Sequence, residues 1–126
     1  ENAFIMADEK QIRQACNNLI KNSYENITLN KIPNGNISIT FGIENDFASI
    51  IISDNGTGID KSIISKILEP YYTTKAGNSG LGLAITKKII DDHNGIILIK
   101  PLKGNKGTSV TLKFPLISKL KKEKSK

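Results

Sequence analysis

The sequence predicts an α/β (α+β) two-layer sandwich, with about three helices packed on one face of a mixed, mostly antiparallel sheet. Three observations carry that expectation. From Asp8 to about Asn26, the apolar residues Ile12, Ala15, Cys16, Leu19 and Ile20 recur at i, i+3, i+4, i+7 and i+8, the period of an amphipathic helix. Ile37, Ile39, Phe41 and Ile43 alternate with Ser38, Thr40 and Gly42, the period of a half-buried strand. A second long helical stretch opens at about Leu81 and ends at Asn94-Gly95, a left-handed type of helix stop.

Taken in order, the chain allows a short strand near Phe4–Met6 ahead of the first helix. Pro33-Asn34-Gly35 then breaks the chain in a turn. After the alternating strand, Asn45-Asp46 reads as a hairpin turn into a strand from Ala48 to Ser53. Its Ile50-Ile51-Ile52 run suggests a central strand covered on both faces. Asp60 is a good N-cap for a short helix through about Leu68. Glu69 to Ser79 has no period and reads as a loop. Beyond the second long helix, Ile96 to Ile99 form a strand, Lys103-Gly104-Asn105-Lys106-Gly107 a turn, and Thr108 to Phe114 a last strand with Val110, Leu112 and Phe114 on one face. There is no internal repeat.

Composition narrows the function classes. With 126 residues the chain is one domain with room for a real core. No apolar run approaches the ~20 residues of a membrane span, and no signal-peptide pattern opens the sequence. One cysteine, Cys16, excludes an internal disulfide framework and fits a reducing compartment. The net charge of +6 invites a nucleic-acid reading. Yet residues 119–126 hold five of the 18 basic and one of the 12 acidic residues, leaving 13 and 11 in residues 1–118. The basic excess belongs to a Lys-rich tail, read as a flexible terminus, and no nucleic-acid partner is expected.

Three short segments carry chemistry. Asn18 and Asn22 lie one turn apart on the first helix, with Glu25 continuing the row at the margin of the buried face. Such a pair can be two solvated amides. Paired amide oxygens at i, i+4 also suit Mg²⁺, which takes few protein ligands and draws the rest from water and phosphate. Asp54 ends the apolar strand, followed by Gly56 and Gly58. Asp-Asn-Gly is ordinary turn chemistry, but a carboxylate at the end of a buried strand can also accept a hydrogen bond from a purine amino group. Gly80-Leu81-Gly82-Leu83 opens the second helix and offers glycine-exposed amides to an anion. The small, polar stretch Thr73–Ser79 before it is a candidate lid, with Lys75 and Ser79 as phosphate contacts.

With those residues in hand, the chain resembles the catalytic, ATP-binding domain of bacterial sensor histidine kinases, in the superfamily shared with gyrase B, the ninety-kilodalton heat-shock chaperones and the MutL repair proteins. Residues 14–23, from Gln14 to Ser23, resemble the kinase N box, and Asp54-Asn55-Gly56-Thr57-Gly58 the first glycine box. Glu69-Pro70-Tyr71-Tyr72-Thr73-Thr74-Lys75 resembles the F box, Gly80 to Ile85 the second glycine box, and Gly107-Thr108 the small terminal one. Lys21-Asn22-Ser23-Tyr24-Glu25, the Glu-Pro-Tyr-Tyr-Thr-Thr-Lys run and the short lid are most similar to the nitrogen-regulation branch, NtrY-like or NtrB-like.

The resemblance implies a Bergerat ATP-binding fold over residues 1–118 and Mg-ATP as ligand. It implies Asn18 and Asn22 at the metal and phosphates, and Asp54, Gly56, Gly58, Ile59 and Thr108 around adenine. Thr74, Lys75, Ser79, Gly80, Leu81, Gly82 and Leu83 would line the triphosphate. ATP-hydrolysing relatives carry a general-base glutamate four residues before the metal-binding asparagine. Here that position is Asn18, which cannot take a proton, so the expected activity is phosphoryl transfer to a histidine. The only histidine, His93, sits at a predicted helix end and is read as structural. The acceptor would lie on a separate upstream dimerisation hairpin of a homodimeric, cytoplasm-facing inner-membrane sensor that feeds a response regulator. A chaperone-type ATPase and a non-catalytic nucleotide-sensing module are the alternatives.

Overall fold

The structure, a computed structural model, describes residues 4–57, 82–102 and 107–117. Its elements run α1 (Glu9–Leu29), β1 (Ile37–Glu44), β2 (Phe47–Asp54), α2 (Gly82–Asp92), β3 (Ile96–Pro101) and β4 (Thr108–Pro115). The predicted helix over Asp60–Leu68, the loop to Ser79 and the tail at 119–126 lie outside the described residues, as do residues 103–106 of the predicted turn.

Helix α1 begins where its N-cap permits. Asp8 is extended and its carboxylate accepts the Gln11 amide, while Glu9 places a negative charge in the first turn. The helix runs three residues past the predicted end at Asn26, to Leu29. Helix α2 ends at Asp92, and Asn94 just beyond it takes the left-handed conformation at φ 56. The Gly95 amide then donates back to the Ile90 carbonyl at 2.9 Å.

The sheet has the order β1-β2-β4-β3 with every neighbouring pair antiparallel. Glu44 pairs with Phe47 across a two-residue loop in which Asn45 and Asp46 both have positive φ, at 51 and 67. That backbone matches the twist of the flanking strands, and Asn and Asp tolerate it. The strand near Phe4–Met6 reduces to one bridge, Ile5 to Leu116, extended by the Ile117 amide donating to the Phe4 carbonyl at 2.9 Å.

One face of the sheet carries the core. Ile52, Leu112 and Phe114 project from it against Ala15 and Leu19 of α1 and Ile89 and Ile90 of α2, all buried. Two expectations need correction here. Among the described residues, no second apolar layer lies over Ile51. This residue shares the opposite face with Thr40 and Thr111, its register partners, and with the hydrogen-bonded pair Ser53 and Ser109. Among the described residues that face is rich in hydroxyls, and β2 is covered by helix on one side only. The apolar row of β1 is not half-buried beyond Ile37. Ile39, Phe41 and Ile43 are exposed, Phe41 by 73 %. They point to the core side, because their partners are Ile52, Ile50 and Ala48. However, β1 is the outermost strand, and α1 packs mainly over β2.

Candidate nucleotide site

At one end of the core face the apolar side chains give way to polar ones. Asp54 closes β2, Thr108 opens β4, and the two are register partners. Both are buried, 6 % and 4 % exposed. Asp54 Oδ1 accepts the Gly56 amide at 2.9 Å, so the Asx-type turn is formed. Thr108 Oγ1 is buried with no hydrogen-bond partner. A buried hydroxyl left so costs roughly 1–3 kcal/mol.

The loop after Asp54 is pinned from two sides. Asn55 Oδ1 accepts the Asn36 amide at 2.7 Å and its Nδ2 donates to the Asn34 carbonyl at 2.9 Å. On the other side, Thr57 Oγ1 donates to Asn26 Oδ1 of α1 at 3.0 Å. A Cβ at Gly56 would lie 2.5 Å from Asn26 Nδ2 and 3.0 Å from Asp54 Oδ1. A side chain there would have to displace the Asn26 amide. Gly107, just ahead of Thr108, has φ 135, and a Cβ on it would overlap the Asp54 carbonyl oxygen. Gly107 therefore lies directly on the Asp54 backbone.

Helix α1 carries the other residues of the candidate site. Asn18 and Asn22 are half-buried one turn apart. Asn18 Nδ2 donates to Thr86 Oγ1 of α2 in a long bond of 3.5 Å, and Thr86 is fully buried. Glu25 pairs with Lys21 at 3.9 Å along the same helix. Leu83, in the first turn of α2, packs against the core, and Gly82 is the first residue of that helix.

Asn18 and Asn22 thus share one helix, tied by Asn26 to the Gly56–Thr57 turn that follows Asp54, and Asp54 faces Thr108. Gly58, Ile59, Thr74, Lys75, Ser79, Gly80 and Leu81 lie outside the described residues. Asn26 and Thr86, which contact the candidate site residues, were not singled out by the sequence reading, whereas Thr57 and Gly107 stood inside the glycine boxes without an assigned role. A signal for Asn26 was present, since it continues the i, i+4 row of Asn18 and Asn22 by one more turn. His93 stands apart from this cluster. Its Nε2 accepts the Asp8 amide at 3.0 Å, and its Nδ1 lies 2.7 Å from the Ile89 carbonyl oxygen. Its ring also meets Phe114 edge-on. Cys16 is half-buried against the core, and burial raises its thiol pKa.

Comparison with known proteins gives this geometry a context. Residues 7–118 match the family described as histidine kinase-, DNA gyrase B- and HSP90-like ATPase. An NtrY-like protein of Rickettsia conorii, named as a sensor histidine kinase, is 39% identical over 111 residues, 88% of this chain and 18% of that protein. The signal transduction histidine-protein kinase AtoS of Escherichia coli is 38% identical over 113 residues, with 89% and 18% covered. The chain therefore spans less than a fifth of the length of these relatives. Among solved structures, the nucleotide-free catalytic domain of histidine kinase ThkA superposes with a TM-score of 0.76 at 31% identity, covering 88% of this chain and 70% of that one. The chain belongs to the histidine kinase-, DNA gyrase B- and HSP90-like ATPase family, and its fold is that of a sensor histidine kinase catalytic domain.

Proposed function

We propose that this chain binds Mg-ATP and donates the γ-phosphoryl group to a histidine carried on a separate dimerisation hairpin of a two-component sensor kinase. The observation that carries the reading is the buried, unpartnered hydroxyl of Thr108 facing the Asp54 carboxylate. An amino-bearing purine supplies what that pair lacks: a donor for the carboxylate and a partner for the hydroxyl. A bond from a neutral donor to a carboxylate is worth about 1.5–3 kcal/mol, enough to set the base preference.

The half-buried amides of Asn18 and Asn22 fit a hard cation that takes few protein ligands, and they would hold it together with phosphate oxygens. Mg²⁺, when bound, supplies neutralisation of phosphate charge. The chain's own residues then do the positioning on which phosphoryl transfer rests. Asn18 has no basic group to take a proton from water, and so bound ATP persists until a nucleophile with its own base arrives. This disfavours a self-contained ATPase. A family match that ends at residue 118 supports a catalytic unit of about that extent, outside the Lys-rich stretch. By analogy with the sensor kinases it resembles, the whole protein would be a homodimeric membrane sensor with this domain in the cytoplasm, serving a response regulator.

Calorimetric titration with Mg-ATP, followed by incubation with a supplied histidine-hairpin domain from a related kinase, tests the proposal. Binding followed by acid-labile phosphate on the hairpin supports it. Binding with rapid steady phosphate release would point to the ATPase, and no binding would remove the proposal.

A further inference from the structure

We infer that Asn26 is a positioning residue for base recognition, holding the Gly56–Thr57 turn, and with it the Asp54 carboxylate, in register with the Asn18 and Asn22 amides. The inference rests on the nucleotide reading above and adds a residue outside the pair of asparagines on which that reading draws.

The chain of contacts is continuous. Asn26 Oδ1 accepts Thr57 Oγ1 at 3.0 Å and, from the C-cap residue of α1, Asn30 Nδ2 at 2.8 Å. Asn30 Nδ2 also reaches the Asn26 carbonyl at 2.8 Å. The amide plane of Asn26 is thus braced from within its own helix before it meets the loop. Its Nδ2 occupies the volume that any side chain at position 56 would need, 2.5 Å from where a Cβ would stand. The Gly56 amide in turn donates to Asp54 Oδ1 at 2.9 Å. Remove the brace and the turn is held only from the Asn55 side, so the Gly56 donor that fixes the rotation of the carboxylate is less firmly placed.

The same helix also sets a length. Eight residues separate Asn18 from Asn26, about 12 Å of helix rise. A rigid rod therefore carries the phosphate-end amides at one point and the clamp on the base-end loop at another. Loss of the clamp should uncouple the two ends, and the damage should fall on base discrimination. A residue that merely stabilised the fold would weaken all nucleotides alike.

The test uses the 126-residue chain and calorimetric titration with Mg-ATP and Mg-GTP on the parent, Asn26→Ala, Thr57→Val, Thr57→Ser and the Asn26→Ala/Thr57→Val double variant. The expected result is ATP binding weakened about three- to tenfold in Asn26→Ala and in Thr57→Val. The double variant should be no worse than either single one, Thr57→Ser should match the parent, and GTP binding should not change. ATP affinity equal to the parent's in both single variants overturns the inference, as does an equal loss for ATP and GTP with a lowered melting temperature. Should Asn26→Ala fail to fold, the contrast between Thr57→Val and Thr57→Ser decides. A parent that binds no ATP removes the nucleotide reading itself and this inference with it. A parent that binds, with variants that match it, removes the clamp alone.

Discussion

Asp54 and Thr108 face each other across the β2–β4 ladder, and the protein satisfies only one of them: Asp54 Oδ1 is held by the Gly56 amide, while Thr108 Oγ1 has no partner. An arrangement that leaves a buried hydroxyl unmet lowers the stability of the empty protein. On the nucleotide reading, the ligand makes up the difference.

That asymmetry separates two substitutions. Thr108→Val keeps the shape and removes the orphan hydroxyl. The empty domain should be as stable as the parent or more so, by up to about 1–2 kcal/mol, while ATP affinity falls. Asp54→Ala should lose ATP binding by tenfold or more with the fold retained. Circular dichroism melts and calorimetry read both effects. A Thr108→Val protein that melts earlier and binds ATP normally would contradict the assignment.

Gly107→Ala should be among the most damaging single-methyl changes available here. The added carbon would meet the Asp54 carbonyl oxygen, at a backbone φ of 135 that side chains rarely adopt. A loss of about 2 kcal/mol or more is expected in chemical denaturation. Stability within 0.5 kcal/mol of the parent, on the order of an ordinary surface change, would show that the turn can move away.

His93 joins the start of α1 to the end of α2 through both ring nitrogens. His93→Ala should therefore lower stability by about 1–3 kcal/mol and expose the Asp8 amide, with hydrogen exchange there rising. Incubated with ATP alone, the parent chain should acquire no acid-labile phosphate. Phosphohistidine at position 93 would reverse the structural reading of this residue.

Burial raises the Cys16 thiol pKa above its ordinary value of 9.0. The neutral thiol is then favoured in the folded state. Its contribution to stability should be full below pH 9.0 and decline as pH rises through the shifted value. Alkylation by iodoacetamide at pH 8 should be slow until denaturant is added. Rapid labelling of the native protein, matching that of the denatured chain, would refute this.

How far the sequence reaches depends on what each signal measures. The row Ile12, Ala15, Cys16, Leu19, Ile20 located α1 because a helix shows its buried side as a period. The same logic failed for Ile39, Phe41 and Ile43. Alternation reveals which way side chains point, not whether anything lies over them, and an outermost strand escapes the helix layer that covers its neighbour. Ile50-Ile51-Ile52 misled for a related reason, since Ile51 sits among Thr40, Ser53 and Thr111, a face no single segment displays. Asp54 and Thr108 were legible as members of motifs. Their pairing was not, because 54 residues of chain separate two side chains that only strand register brings together. Thr57, Thr86 and Gly107 act through partners on other elements, and nothing local announces that.

The bridge between Ile5 and Leu116 has a mechanical corollary. It brings the incoming and outgoing backbone to a single point on the surface, beside the end of β4. A unit hung from one point can be spliced into a longer polypeptide without forcing its neighbours apart.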